Sequence, residues 1–562
     1  MPKINILPIY LRNKIAAGEV IERPVSVVKE LIENSIDADA TEIKVDILYG
    51  GKRLIKVSDN GVGMQKEDAL LCFERYATSK LLKEEDLFNI QTMGFRGEAL
   101  SSIASVSKVR LMTGTRDSIG VYIELYGGEV KEIRDFLSIG TTIEVQDLFF
   151  NTPARKKFLK SNSTELFHII DIVTREALSH PEIAFKLTCD NHETMDLSLS
   201  SGIKERLMQV YGEEFLSSLL EITNKTEGIA LHAYVSKIDN FRKTRSHQFI
   251  FINRRPVKEP FISSAIYSGF EGILPREKHP CFFLFLNIDP AKIDVNVHPT
   301  KREVRFENRE IVYRFVLESI RETIKKQRRE FIESFMIPPF PDKNTLAAQF
   351  KGIPSIPNLR IDSEISAISE NIELTYRPEL PHLYLGETFV AMGGKGGLTL
   401  IDHHAAHERI LFEKFIKGIN LNSTRLLFPK HIKLSPKEYQ IILENLQVLA
   451  DFGIDTDDFG HNTVIVRSLP DDLKNSDIEG ILSDIASCII EGTAPDKSLK
   501  ESIAAKIACH SSIRGKEILT HEELSRLISD LEHTENPDQC PHGRPTRIFI
   551  SLDDLKKMFK RK

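Results

Sequence analysis

Side chains capable of acid–base and metal chemistry cluster on one short segment near the start of the chain. Glu30 and Asn34 are four residues apart, so they share one face of a helix. Glu33 and Asp37 have the same spacing on the adjacent face. A carboxylate can activate water while an amide oxygen one turn away binds a hard cation such as Mg²⁺. A solvated polar face has the same spacing, so the pattern alone leaves both interpretations open.

Asp59 is followed by a glycine-containing loop. It shares a strand face with Ile55 and Val57, so its carboxylate points toward an apolar layer and needs a hydrogen-bond donor. Gly61 and Gly63 come next and allow the backbone to approach a ligand closely. The alternative is an ordinary turn.

Two later segments have the composition of phosphate-binding loops. Residues 78–80 read TSK, and Gly94 and Gly97 precede a predicted helix at 100–106, whose first N–H groups could bind phosphate. Thr142 belongs to a hydroxyl pair on another predicted strand. Loop or cap glycines explain these segments equally well.

The second half of the chain contains separated candidate metal ligands. His404 and Glu408 are four residues apart on a predicted helix, with Asp402 at the end of the strand before it. Cys509 lies on another predicted helix, and residues 540–542 (CPH) lie in a loop. No pair has zinc-finger spacing. Convergence would create a catalytic transition-metal site, and packed core or surface histidines are the alternative.

The composition limits the class of protein. A chain of 562 residues suggests about three or four domains, and 41% hydrophobic with 28% charged residues is ordinary for a folded protein. The net charge of −6 restricts any DNA contact to local patches. Six scattered cysteines predict thiols or metal ligands. No apolar run is long enough for a membrane span and no leader is evident, so we expect a cytoplasmic protein.

Hydrophobic periodicity predicts a mixed α+β protein. The predicted elements are helices at 25–36, 100–106, 405–416 and 496–519, a basic C-terminal helix, and strands at 43–47, 54–59, 293–297, 398–402 and 546–551. A proline-rich stretch near 337–380 predicts a linker.

The order of several segments closely resembles the MutL family of DNA mismatch-repair proteins across residues 1–335. These segments are IAAGEVIERPVSVVKELIENSIDADAT, DNGVGM, ATSK, MGFRGEALSSIASVS, LFFNTPARKKFL and DVNVHPTKREVRF. The resemblance implies an ATPase of the group shared with gyrase, heat-shock chaperones and histidine kinases. It implies a GHKL-type α/β sandwich at 1–215, an α+β transducer domain with a ribosomal-protein-like fold at 216–336, a flexible linker at 337–380, and an α+β dimerisation and endonuclease domain at 381–562 with a regulatory subdomain at about 430–503.

The resemblance also assigns roles in an ATP site. Glu30, rather than Glu33, would orient the attacking water, and Asn34 would hold Mg²⁺. Asp59 would accept from the adenine amino group, with Thr142 supporting the same pocket. The remaining residues that would contact ATP or form the lid over it are Gly61, Gly63, Thr78, Ser79, Lys80, Gly94, Phe95, Arg96, Gly97 and Lys301, of which Lys301 would reach the γ-phosphate.

Three segments in the second half resemble the endonuclease motifs of nuclease-competent members. They are Asp402–Glu413, with His403 in place of Gln, then Ala508-Cys509-His510, with His510 in the basic position, and CPHGRP at Cys540–Pro545. Asp402 would be the catalytic carboxylate, and Arg544 would steady a phosphate. The implied ligands of zinc or manganese are His404, Glu408, Cys509, Cys540 and His542. His403 and His510 are extra potential ligands.

The implied partners are DNA, which would be bound without sequence preference, MutS and a second copy of the chain. The candidate DNA contacts are Arg155, Lys156, Lys157, Arg254, Arg255 and Lys258. Thr424–Pro429 occupies the place of a motif that binds the replication sliding clamp, but Thr424 replaces its glutamine anchor. We therefore expect weakened docking of the clamp, and a purely structural strand is the alternative.

These features together predict an ATP-switched homodimer that nicks DNA after MutS recognises a mismatch. One alternative is an ATP-driven matchmaker that has retained the motifs without cutting. A more distant one is the ATPase subunit of a type II topoisomerase.

Overall fold

The computed structural model describes residues 21–80, 92–94, 97–238, 240–242, 244–275, 278–294, 304–335, 382–385, 388–394, 396–418, 423–474, 476–491, 498–512 and 519–558. The chain forms two compact units. Unit 1 comprises Met1–Ile324 and Lys414–Ser511, and unit 2 comprises Lys325–Glu413 and Ser512–Lys562. The predicted linker and most of the strand predicted at 293–297 lie outside the described residues.

Helices and strands are mixed along the whole described chain, which confirms the predicted α+β class. The helices are α1 Pro24–Asp37, α2 Lys66–Leu71, α3 Ala99–Val106, α4 Pro153–Phe158, α5 Asn162–Ser179, α6 Ile203–Tyr211, α7 Glu213–Ser217, α8 Pro260–Gly269, α9 Arg309–Phe335, α10 His403–Lys417, α11 Pro436–Glu444, α12 Leu446–Asp451, α13 Ile478–Glu491, α14 Leu499–Ser511, α15 His521–Glu532 and α16 Leu552–Met558. Of these described helices, none has the length and apolar content needed to cross a membrane.

The strands form separate sheets in the two units. They are β1 Glu42–Leu48, β2 Leu54–Asp59, β3 Lys108–Gly114, β4 Gly120–Tyr126, β5 Glu129–Phe136, β6 Gly140–Gln146, β7 Ala184–Cys189, β8 His192–Leu197, β9 Leu219–Thr226, β10 Ile229–Ser236, β11 Gln248–Ile252, β12 Arg255–Val257, β13 Phe282–Ile288, β14 Ile293–Asp294, β15 Arg305–Phe306, β16 His382–Leu385, β17 Phe389–Gly394, β18 Gly397–Asp402, β19 Ser423–Lys433, β20 Asp455–Gly460, β21 Thr463–Pro470 and β22 Arg547–Ser551.

The first sheet of unit 1 has eight strands in the order β5-β4-β3-β6-β2-β1-β7-β8. Neighbouring strands are antiparallel except β1 and β7, which run parallel. Helix α1 packs against β2 and α5. Its apolar positions, including Val28, Leu31 and Ile32, are buried, whereas Glu30 and Asn34 are half-buried. The helix therefore anchors itself by one face and carries its polar residues along another.

The second sheet has the order β12-β11-β13-β10-β9 and supports two apolar cores. Phe249 and Phe283 stack at 5.1 Å between ring centroids and belong to the core of the first sheet. Ile250 and Leu284 point to the other face and belong to the core formed with α8 and α9. The uninterrupted apolar runs in β11 and β13 reflect burial on both faces.

A third, smaller sheet of unit 1 has the order β19-β21-β20. Helix α11 packs against α13, and α12 packs against β20. Helix α11 starts with a capping box, in which Ser435 and Glu438 bond each other's backbone N–H groups.

Unit 2 is built on an antiparallel sheet in the order β16-β17-β18-β22. Val390 and Ile401 on one face are buried in a core with Leu524 and Leu527. Strand β18 ends at Asp402, and α10 begins at the next residue. This direct junction places Asp402 at the start of the helix that carries His404 and Glu408.

Candidate functional site

Burial distinguishes the two glutamates on helix α1. Glu33 is only 4% exposed, and its Oε1 lies 3.2 Å from Lys29 Nζ. Glu30 is half-buried on the neighbouring face. Since Glu33 is buried and paired with Lys29, the more accessible Glu30 is the better candidate for contact with a ligand.

Asn34 and Asp37 bind a positive charge together. Lys80 Nζ lies 2.9 Å from Asn34 Oδ1 and 2.6 Å from Asp37 Oδ2. Asp37 also accepts hydrogen bonds from the backbone N–H groups of Met93 at 2.8 Å and Gly94 at 3.0 Å. The two oxygens around an ammonium group fit a magnesium site, because hard cations prefer oxygen ligands. The sequence spacing places Asp37 on the same helix face as Glu33 and predicts no separate role for it, although a carboxylate one turn after Glu33 is a usable signal.

Asp59 lies at the end of β2, and three protein groups donate to it. Its Oδ1 accepts from the backbone N–H groups of Gly61 at 3.0 Å and Thr141 at 3.2 Å. Its Oδ2 accepts from Ser35 Oγ at 2.7 Å. Burial raises the pKa of Asp59 above its ordinary value, and these hydrogen bonds offset part of the increase. The donors explain how a carboxylate can point toward an apolar layer.

The structure does not bring the Thr142 side chain to Asp59. In the β2–β6 register Asp59 is opposite Thr141, whereas Thr142 is opposite Ser58. The Thr142 hydroxyl donates to Ser58 Oγ at 3.1 Å, on the opposite face of the sheet from the Asp59 carboxylate. The geometry therefore corrects the prediction that Thr142 supports the base pocket and places Thr141 beside Asp59 instead.

Two of the predicted glycines are required by close backbone contacts. Gly63 has φ +70°, and a Cβ there would lie 2.2 Å from Gly114 O. Gly97 has φ +63°, and a Cβ there would lie 2.5 Å from Ala77 O. Both distances exclude any side chain without movement of the backbone.

The close approach of Gly97 to Ala77 holds together the two segments predicted to form the lid, which contain residues 78–80 and 94–97. The N–H group of Tyr76 donates to Gly97 O at 3.0 Å, and the N–H group of Lys80 donates to Thr78 Oγ1 at 3.2 Å. Ser79 is exposed. The predicted lid residues Phe95 and Arg96, and Lys301, lie outside the described residues.

The predicted DNA contacts differ in accessibility. Arg255 is buried, donates to Thr92 O, and is attracted by Glu33, Asp37 and Glu176. Burial lowers the pKa of Arg255, and the three carboxylates partly offset that change. The structure therefore does not support the prediction that Arg255 contacts DNA, because its side chain is buried near the carboxylates of helices α1 and α5.

The other basic candidates are more accessible. Arg254 is exposed and lies 2.6 Å from Glu182 through Nη1 and Oε1. Lys156, Lys157 and Lys258 are exposed, and Arg155 is half-buried.

A group of potential metal ligands lies in unit 2. Ligand atoms of Glu408, Cys540 and His542 all lie within 4.8 Å of one another. His404 Nε2 lies 3.5 Å from Glu408 Oε1, and His542 Nδ1 lies 3.6 Å from Glu408 Oε2. Nitrogen, sulfur and carboxylate donors together suit zinc and related transition metals. The site thus joins two predicted segments that are more than a hundred residues apart in the chain.

Hydrogen bonds around this cluster change the pKa values of Cys540 and His542 in opposite directions. Burial alone would raise the pKa of Cys540, but hydrogen bonds from the His542 side chain and from nearby backbone groups lower it below its usual value. Hydrogen bonds with Cys540 and Glu408 raise the pKa of His542 to about 9. Without metal, His542 therefore carries a proton at neutral pH.

The remaining residues of the predicted endonuclease motifs have separate positions. Asp402 Oδ1 accepts from the Ala405 N–H group at 3.0 Å and so caps α10. His403 is fully buried with its ring edge-on to Tyr384, at 6.2 Å between centroids. His510 Nε2 lies 3.0 Å from Asp484 Oδ2 in unit 1. Neither His403 nor His510 belongs to the ligand cluster found among the described residues.

Cys509 lies on α14 in unit 1, whereas the cluster lies in unit 2. Its role as a metal ligand stays a prediction.

Family models match three parts of the chain. Residues 22–133 match the histidine kinase-, DNA gyrase B- and HSP90-like ATPase family, so the first part of unit 1 is an ATPase domain of that class. Residues 207–325 match the C-terminal domain of DNA mismatch repair protein, and residues 383–519 match the MutL C-terminal dimerisation domain.

Curated relatives match over the full length. The MutL protein of Thermodesulfovibrio yellowstonii is 41% identical over 571 residues, covering 100% of both chains. The MutL protein of Dictyoglomus thermophilum is 38% identical over 578 residues, again covering 100% of both. The chain belongs to the MutL family of DNA mismatch-repair proteins.

Two of the solved structures that match the chain cover about half of it. The Aquifex aeolicus MutL ATPase domain complexed with ADP is 34% identical, with a TM-score of 0.37, and the match covers 48% of this chain and 94% of that one. The N-terminal domain of a DNA repair protein is 26% identical, with a TM-score of 0.49, covering 56% of this chain and 98% of that one.

Proposed function

We propose that this chain acts as an ATP-switched homodimer that couples mismatch recognition by MutS to metal-dependent nicking of DNA. The ATPase and dimerisation domains follow from its family. The observation that supports nicking is the cluster of Glu408, Cys540 and His542, with Asp402 and His404 on adjoining parts of the same unit.

In the ATPase reaction, Glu30 orients the attacking water and Asn34 holds Mg²⁺. The cation would neutralise charge on the phosphates when it is bound. Asp59 accepts a hydrogen bond from the adenine amino group, while its bonds with Ser35 and Thr141 fix the carboxylate.

Lys80 gives the ATP site a way to change state. Its ammonium group occupies the oxygen pair of Asn34 and Asp37, where the cation would bind. Binding of Mg²⁺–ATP would displace Lys80, because two positive charges cannot share that position. The displaced lysine would then bind phosphate, and Asp37, which also holds Met93 and Gly94, would reposition the lid. Contact of Lys301 with the γ-phosphate is part of the same proposal.

In the nuclease reaction, His404, Glu408, Cys540 and His542 hold zinc or manganese, with Cys509 as a further ligand. A bound metal ion would polarise the phosphodiester and activate water. The lowered pKa of Cys540 favours its binding of metal as a thiolate, whereas His542 must first lose its proton. Asp402 acts as the essential carboxylate, held in place by its bond with Ala405, and Arg544 steadies the phosphate.

Dimerisation uses the exposed face of the sheet in unit 2. Leu383 is 64% exposed and Ile548 is 53% exposed, and both lie on the face opposite the buried Val390 and Ile401. Phe389 and Leu385 extend the same apolar face at the β16–β17 turn. A contiguous apolar face of this kind is typical of a permanent interface between subunits.

DNA binds without sequence preference through the exposed residues Lys156, Lys157, Arg254 and Lys258. The sliding clamp contacts β19, where Leu427 is 88% exposed and Phe428 is 81% exposed at an irregularity in the strand. The contact is weakened, because Thr424 replaces the glutamine anchor and its hydroxyl is bonded to Asp471. A cytoplasmic location belongs to the same proposal.

Nicking of supercoiled plasmid with Mn²⁺ tests the nuclease directly. We expect the wild-type chain to convert the plasmid to open circles, Asp402→Asn to be inactive, and the exposed control Asp553→Asn to behave as wild type. No nicking by the wild type, with ATPase activity intact and with zinc and clamp protein supplied, would favour the matchmaker function.

A further inference from the structure

Residues 423–491 come from the second half of the chain but pack within unit 1. The two apolar clusters of the N-terminal half contain no described residue beyond Ile324. Residues 423–491, called here the inserted segment, therefore contact the part of unit 1 before residue 325, called the ATPase half, without belonging to its two apolar cores. This is typical of an interface between domains that can separate.

The first contact of this interface is charged. Lys437 at the start of α11 lies 3.3 Å from Asp171 on α5, measured between Nζ and Oδ1. Its ammonium group also lies 3.7 Å from the ring centroid of Phe167. Arg175 Nε lies 2.9 Å from Asp171 Oδ2, so the carboxylate keeps one cationic partner if Lys437 withdraws.

A second ion pair lies elsewhere in the interface. Arg242 Nη2 lies 3.5 Å from Glu479 Oε1 on α13. Lys433 Nζ also lies 3.5 Å from the backbone oxygen of Gln209. Beside the Lys437–Asp171 contact is a cavity of about 20 Å³, whose lining includes His247 on one side and Glu438 and Ser487 on the other. Its volume is sufficient for one water molecule, and Asp171, Lys437 and Glu438 are among the residues that line it.

We propose that residues 423–491 dock reversibly on the outer side of α5 in the same chain. The recognition is electrostatic, with Lys437 and Glu479 on the inserted segment meeting Asp171 and Arg242 on the ATPase half. Helix α5 packs directly against α1, which carries Glu30 and Asn34. The docking surface thus lies one helix away from the ATP site.

Zero-length carbodiimide crosslinking of the full chain tests this docking, because it joins only amines and carboxylates in direct contact. We expect a Lys437–Asp171 crosslink in peptide mass spectra. Lys414 and Asp472, 2.6 Å apart within the second-half segment, provide the internal positive control. A mixture of isotopically light and heavy chains distinguishes a link within one chain from a link between two.

A substitution in the Arg242–Glu479 ion pair tests whether the docking is reversible. Glu479→Arg faces Arg242 with a like charge, so we expect the Lys437–Asp171 yield to fall roughly 5- to 30-fold relative to the internal control. The exposed control Asp451→Arg should leave that ratio unchanged. Three results would overturn the proposal: no Lys437–Asp171 link when the control link forms, links only between light and heavy chains, or a ratio unaffected by Glu479→Arg.

Discussion

Replacement of Asp59 by Asn separates its proposed role in nucleotide binding from its role in the fold. The Asn Oδ1 can keep the bonds from the backbone N–H groups of Gly61 and Thr141. Its amide nitrogen would then occupy the position of Oδ2, facing Ser35. The Ser35 hydroxyl can donate to Leu31 O at 3.2 Å instead and accept from the new amide. The folded structure should therefore tolerate Asp59→Asn.

Asp59→Asn should instead weaken the recognition of adenine. The amide nitrogen is a donor and would meet the adenine amino group, another donor, in place of the original acceptor. Loss of a hydrogen bond to a charged group costs about 1.5–3 kcal/mol, which corresponds to a roughly 10- to 150-fold weaker affinity for ATP. Guanine presents a carbonyl oxygen at the same position, so the preference for ATP over GTP should decrease.

Calorimetric titration with ADP and GDP, together with thermal unfolding, measures these effects. Asp59→Asn should bind ADP more weakly, lose selectivity against GDP and unfold within a few degrees of the wild type. The exposed substitution Asp196→Asn on β8 is the matched control and should change none of these. An unchanged ADP affinity in a folded Asp59→Asn protein would refute the assignment of Asp59 to the adenine.

Three further predictions concern the ATPase base, a glycine and the metal cluster. Glu30→Ala should keep ATP binding but lower kcat about 10²- to 10⁴-fold in an ATPase assay, because water is no longer oriented. Gly63→Ala should lower the free energy of unfolding in urea by about 2–4 kcal/mol, since the new Cβ requires movement of the Gly114 backbone and the φ is positive. Zinc affinity of the metal-free chain should rise about tenfold per pH unit between pH 6 and about 9, because the raised pKa of His542 means that binding must release one proton. Titration in weakly buffered solution measures that proton directly.

Each of these predictions has a control and a contradicting result. Equal loss of binding and hydrolysis in Glu30→Ala, with the exposed Glu42→Ala unaffected, would exclude Glu30 as the base. Gly202 has open space around its missing side chain, so Gly202→Ala should be harmless, and equal stability of both alanine variants would contradict the contact argument. Zinc affinity independent of pH would mean that His542 is not a ligand, and unchanged metal content in Cys540→Ala would remove that thiol as well.

Local periodicity predicted the elements around both sites. The helix expected at 25–36 is α1 Pro24–Asp37, and the strands expected at 54–59 and 398–402 are β2 and β18. These elements have clear patterns because each buries one face against a single core. The predicted helix at 405–416 is likewise α10, which starts two residues earlier.

The sequence does not predict the position of a side chain where that position depends on residues far away in the chain. Pairing with β2 decides which of Thr141 and Thr142 lies on the same sheet face as Asp59. The sequence alone does not show which of the two adjacent hydroxyls that is. The sequence places Arg255 in a basic loop, but in the structure its side chain is buried and is attracted by the carboxylates of Glu33 and Glu176 on two helices. Neighbouring histidines behave oppositely for the same reason, since His403 packs on Tyr384 while His404 contacts Glu408.

The shared phenylalanines of β11 and β13 determine where the chain can be divided. Phe249, Phe251 and Phe283 lie in the core of the first sheet, although they come from the second one. A fragment that stops at residue 215 would leave that core without them and would expose its apolar surface to water. The shortest N-terminal piece expected to be stable in isolation therefore extends through Ile324, so the division at residue 215 marks a change of sheet rather than a site where the chain can be cut.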